Sequence, residues 1–307
     1  MSSTNRSALF AKINKVLRKH YDPVTPPSER TVLEHLLYAC VLENAKHDAV
    51  DDVFARLQKN YFDWNEIRVT SVPELAEVMA HIPDAVDAAK RMKRALQSVF
   101  ETHYVFDIDF LKKQGLGKTI ESIEKFSGVT PFVVAYLTQN ALAGHAIPIS
   151  PHALHLLVLL GAVSESDAVK NRVPGLERAI PKNKGIEFAS LLHQFTVDYV
   201  ASPQSAKVRG IVGEIDPAAR DRLPKKVTRI EQPRPNPPKK QTPPRPPMPE
   251  TKGDRPEKDR PDKDRLEKDR SEKDRKTDSK KGRTEQAAHD ESKTKGAAAR
   301  ITRKKPK

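Results

Sequence analysis

Phe126 to Leu160 runs FSGVTPFVVAYLTQNALAGHAIPISPHALHLLVLL. Phe132–Leu142 is a nearly unbroken apolar stretch of helical length, which predicts a buried, central helix. Pro151–Leu160 predicts the next one, ending at Gly161. Between a short helix over Thr119–Phe126 and the central helix lies Gly128-Val129-Thr130, too short for anything but a tight turn. A turn of this kind, set against a helix N-terminus, either aims backbone N–H groups at a phosphate or is a plain corner between helices kept for packing. Gly128 permits close approach, whereas Pro131 lacks an N–H and removes one donor.

Outward from this turn the chain reads as helix after helix. Arg30–Glu43 places Leu33, Leu36, Leu37, Cys40 and Val41 at helical spacing, and Ala45–Gln58 continues with Ala49, Val53 and Leu57. Ser71-Val72-Pro73-Glu74 is a capped start with proline in the first turn. Pro83 opens a helix with Ala88, Met92, Ala95, Leu96 and Val99 on one face and Lys90, Arg91, Lys93 and Arg94 decorating it. Ser164 or Ser166 caps a further helix, and Glu187–Tyr199 forms the last strong one. No segment sustains two-residue alternation with β-branched content, so the expectation is an all-α domain.

Composition divides the chain. All 17 Phe, Trp and Tyr residues lie at or before Tyr199, while residues 223–307 hold 13 of the 25 prolines. A segment with so little apolar surface does not offset its ordering entropy. The expected organisation is a helical extension over 1–29, a helical domain over 30–222 and a disordered, basic tail over 223–307. Residues 1–222 carry 27 Lys+Arg against 26 Asp+Glu, and the tail carries 28 against 15. The basicity therefore belongs to the tail, which favours polyanions. Its proline-rich part (PRPNPPKKQTPPRPPMP) is a polyproline II spacer or the ligand of a protein partner. The repeat over 254–275 (DRPEK, DRPDK, DRLEK, DRSEK) has period five and draws no stripe on a helix. The single cysteine, Cys40, sits in an apolar run and reads as a small core residue. No apolar run approaches the roughly 18 residues of a membrane span, and the N-terminus has no signal-peptide core. A cytoplasmic, nucleoid-associated protein is expected.

The 126–160 stretch resembles the helix-hairpin-helix DNA glycosylase superfamily, endonuclease III in particular. That family has a G-h-G hairpin, a lysine nucleophile just after it, and an aspartate eighteen residues beyond. Further landmarks follow in order: Leu42-Glu43-Asn44-Ala45, Pro73-Glu74-Leu75, Ala89-Lys90, Ile180-Pro181, and Phe188 with Leu191-Leu192-His193. The resemblance spans about Arg30–Ile215. It implies double-stranded DNA as partner, with Gly128, Val129, Thr130, Lys90, Lys93 and Arg94 on the DNA side and a monovalent cation at the hairpin. The reactive positions are changed: the lysine position is Phe132 and the aspartate position is Ser150. Phe132 forms no Schiff base with a sugar, and Ser150 offers no carboxylate to a developing cation. The family's iron–sulfur ligand positions fall near Val200, Lys207, Gly210 and Asp216, so no cluster is expected.

Two weaker candidates for chemistry remain. Glu43 lies near a DNA-side helix end and could act as an acid or base, or cap the following helix. Gly115-Leu116-Gly117-Lys118 resembles the hairpin in letters and would make Lys118 a nucleophile, but no Asp occurs between Asp109 and Asp167 to serve it. The expectation is a DNA-binding member of the superfamily without glycosylase or lyase activity. The alternatives are a divergent active glycosylase of base excision repair, and a non-enzymatic adaptor that works through the proline-rich segment.

Overall fold

The computed structural model describes residues 3–227; the tail repeats and the proline-rich segment lie outside the described residues. Among the described residues the regular structure is helical, and no helix is long and apolar enough to cross a membrane. The helices group around two apolar cores, which form two lobes.

The first lobe is built from a continuous part of the chain. It contains α2 (Val32–Leu42), α3 (His47–Asn60), α4 (Trp64–Val69), α5 (Val72–Val78), α6 (Ala85–His103), α7 (Leu116–Ile123) and α8 (Pro131–Asn140), with a 3-10 turn over Asp109–Lys113. α2 begins with a capping box, in which Thr31 and Glu34 satisfy each other's backbone N–H groups. Every residue of α2 except Glu34 is buried, so α2 shares the centre of the lobe with α8, against which it packs. Cys40 is fully buried, and burial pushes its thiol up to about 12, as suits an inert core residue. Trp64 anchors the first turn of α4 behind an Asp63 cap. α6 carries a buried stripe of Ala88, Met92, Ala95, Leu96 and Val99 and ends in Tyr104, at φ 58°.

The second lobe joins the two ends of the described chain. It consists of α1 (Ser3–Leu17), α9 (Pro151–Leu159), α10 (Glu165–Val169), α11 (Leu176–Ala179), α12 (Lys182–Ala201), α13 (Ala206–Ile215) and α14 (Pro217–Arg220). Phe10, Ile13 and Leu17 of α1 are fully buried, and α1 packs on α11, α12 and α13. Residues 200–216 form the end of α12, a turn and α13, whose Val208, Ile211, Val212 and Ile215 face this core. Leu223 and Val227 still pack on it.

A proline-rich connector, residues 18–31, crosses from α1 to α2 over the seam between the lobes. Val24 N–H donates to Ser190 Oγ (2.8 Å), and Gln194 Nε2 donates to Asp22 O (2.8 Å). Tyr21 donates to Asp198 (2.9 Å), which also pairs with Lys207 (2.9 Å) and lies 3.6 Å from Lys46 of the first lobe.

Candidate nucleic-acid interface

The hairpin is formed by α7, the turn over residues 124–130 and α8. Phe126 N–H closes back on Ile123 O, and Val129 N–H on Phe126 O. Gly128 has φ +85°, and a Cβ there would lie 2.6 Å from Arg91 O and 2.9 Å from Arg94 Cβ. The glycine thus serves two needs at once: a left-handed backbone and close approach to α6. Val129 turns inward onto the first core. Thr130 caps α8 by accepting from Val133 N–H (3.2 Å), with Pro131 in the first turn. Ser127 N–H is taken by Ser98 Oγ (2.9 Å). The N–H groups of Gly128 and Thr130 have no acceptor among the described residues.

α6 supplies basic side chains beside this turn. Lys90 and Arg94 are four apart, on one face and exposed, and Arg94 stands against Gly128. Lys93 does not join them. Its amine donates to Arg68 O (2.7 Å) and Thr70 O (2.5 Å), where it closes the C-terminal end of α4. Gly115 and Gly117 are not a turn: Gly115 is the N-cap of α7, Gly117 lies in its first turn, and a Cβ at either would meet nothing within 4 Å. Lys118 is exposed on α7 and lines none of the cavities described below.

A cavity lies along α8, from Phe132 to Asn140, in the seam between the lobes. Phe132 and Tyr136 of α8, Leu42 and His47 from the first lobe, and Ala189 and His193 of α12 line it. Val24 and Pro26 of the connector close one side. It encloses about 20 Å³, room for about one water. No carboxylate or amine lines it. Phe132 is 2% exposed and ring-to-ring with Tyr136 (6.3 Å) and His193 (5.9 Å). Ser150 lies outside the lining; it is the N-cap of α9, accepting from Ala153 N–H (3.2 Å). His152 is buried, which lowers its pKa.

Glu43 is not among the residues that line this cavity. It is 1% exposed at the C-cap of α2, with Oε2 3.7 Å from Arg91 Nε; that same nitrogen donates to Cys40 O (2.9 Å).

The sequence reading missed the imidazole pair. His47 and His193 meet edge to face at 5.3 Å, and His193 Nε2 bonds Ala45 O (2.8 Å). Burial pushes His47 down to about 4 and, with His47 beside it, His193 to about 3, so both are neutral. The two lie 146 positions apart, and no local motif links them.

The two-lobed helical body with its α7–α8 hairpin resembles solved helix-hairpin-helix DNA glycosylases in fold. A thermostable thymine-DNA glycosylase superposes with a TM-score of 0.50 at 16% identity, covering 69% of this chain and 95% of that one. Endonuclease III in a non-covalent complex with DNA gives a TM-score of 0.50 at 16% identity, covering 72% and 99%. No family model matches the chain, and no curated protein matches it. At this identity the likeness establishes the fold, and the chain has the helix-hairpin-helix DNA glycosylase fold.

Proposed function

We propose that this chain is a DNA-binding member of the endonuclease III superfamily that lacks glycosylase and AP-lyase chemistry. The side chains at positions 132 and 150 carry the reading. Where that chemistry needs an amine and a carboxylate, Phe132 presents a phenyl ring packed on His193, and Ser150 is spent on a helix cap. Binding rests on the Gly128–Thr130 hairpin, whose unpaired N–H groups suit a phosphate, with Lys90 and Arg94 beside it. A monovalent cation between hairpin carbonyls and a phosphate fits the same picture. An iron–sulfur cluster does not fit, since Cys40 is the chain's one cysteine and is buried in the first lobe. The tail, with 28 Lys+Arg against 15 Asp+Glu, adds salt-sensitive attachment, consistent with a place on the nucleoid.

The test is a combined mobility-shift and nicking gel on intact, damaged and abasic duplexes. Retarded but uncut duplex is the expected result; cleavage or base release removed by Glu43→Gln or Lys118→Ala would establish an active enzyme instead. Deleting residues 223–307 is expected to remove most affinity and flatten its salt dependence. An unchanged affinity would assign binding to the folded part alone.

A further inference from the structure

A groove of about 410 Å³ opens on the flank of the hairpin, toward the C-terminal end of α6. The second half of α6 forms one wall and contributes Glu101. The end of α7 and the first residues of the turn form the other, and contribute Lys125 and Ser127.

The turn wall carries donors that the fold does not use. Lys125 is exposed, and its amine has no partner among the described residues. Lys90, by comparison, lies 3.5 Å from Asp87, and Lys93 is spent on the carbonyls of Arg68 and Thr70. Ser127 gives its N–H to Ser98 Oγ (2.9 Å), while its own hydroxyl is unpaired and exposed. The unpaired N–H groups of Gly128 and Thr130 follow directly. Lys125 and Gly128 are three residues apart, at most about 11 Å along the backbone. Charges on one DNA strand advance about 3.4 Å along the duplex axis, so one strand reaches both without leaving the turn.

The opposite wall has the other sign. Glu101 accepts from Gln97 Nε2 (2.7 Å) and pairs with no cation among the described residues. The C-terminal end of α6, at His103, adds its negative dipole to that wall. An anion in the groove is therefore drawn to the turn and pushed off α6. We propose that the strand held at Gly128 and Thr130 continues along the turn wall, with its neighbouring phosphate on the Lys125 amine and the Ser127 hydroxyl. Glu101 holds the strand off α6 and so fixes the side on which it passes. This rests on the DNA-binding reading and adds a register to it: Lys125, not Lys93, is the cation beyond the hairpin.

Fluorescence-anisotropy titration of the full chain with a labelled duplex, at several salt concentrations, tests this. Lys125→Ala should weaken binding about threefold to tenfold and lower the salt slope by about 0.9. Lys125→Arg should restore both. Glu101→Gln should tighten binding about twofold to fivefold. Lys59→Ala, which removes an exposed lysine on α3, should leave affinity unchanged and so measures the general attraction of any surface cation. Thermal melts should be the same for Lys125→Ala and the parent, since the amine holds nothing in the fold. A parent that binds duplex, with Lys125→Ala indistinguishable from Lys59→Ala or Glu101→Gln no tighter than the parent, would overturn this register alone. A parent without duplex affinity would remove the DNA-binding reading and the register with it.

Discussion

Phe132 and His193 lie ring beside ring across the seam between the lobes, centroids 5.9 Å apart and planes inclined by 36°. One residue belongs to α8 and the other to α12, so the contact helps join two separately built cores. Phe132→Ala should cost about 3–5 kcal/mol, the range for truncating a buried phenyl ring, read as a lower denaturant midpoint. Phe132→Lys should be worse at neutral pH, because an amine in this seam must shed its charge or open the seam. Its folded pKa would be depressed, so the deficit should shrink as pH rises toward 10.4. A Phe132→Lys variant as stable at pH 7 as the parent would mean that the seam admits water.

Ser150 is a cap, and its variants should behave accordingly. Ser150→Ala should lose about 1 kcal/mol of stability with duplex affinity and cleavage behaviour unchanged. Loss of an enzymatic activity without loss of stability would place the hydroxyl in chemistry instead.

Gly128 and Gly117 should respond to substitution in opposite directions. Gly128→Ala forces a positive φ on a side chain and drives its Cβ into Arg91 O, so it should destabilise the fold and weaken duplex binding. Gly117→Ala in α7 meets nothing and should gain up to about 1 kcal/mol from helix propensity. Thermal melts of both variants fix which glycines make the turn; the reverse ranking would restore the alternative register.

Three buried imidazoles make stability depend on pH with a definite sign. His35 and His47 are held at about 4 and His193 at about 3, against 6.5 for the exposed ring. Between those values the unfolded chain binds more protons than the folded one, so stability rises with pH. The contribution is fully present above pH 6.5 and is lost as pH falls toward 4 and then 3. His47→Leu should flatten the acid limb of the melting-temperature profile, and an unaltered limb would show that the ring is hydrated.

Much of the helical pattern was readable in the sequence. Leu33, Leu36, Leu37, Cys40 and Val41 fall where helical spacing puts them, Ser71 and Ser164 cap the helices assigned to them, and Gly128 makes the turn. These are local signals, set by propensity, capping and a period of 3.6 residues. Lys93 shows the limit: its position on an exposed-looking helix said nothing of the carbonyls of Arg68 and Thr70 that hold it. Glu43 is similar, since nothing near it in sequence announces Arg91.

The amino-acid order alone settled the helical class, the place of the hairpin, and the segregation of basic charge into the last 85 residues. Each is a property of single positions or short windows. Tertiary structure alone decided that Phe10, Ile13 and Leu17 complete a lobe whose other half begins near residue 147, that His47 meets His193, and that Arg30, His35, Lys112 and Asn140 surround one cavity. Those relations depend on which apolar faces bury one another across more than a hundred residues, and no local periodicity records that choice.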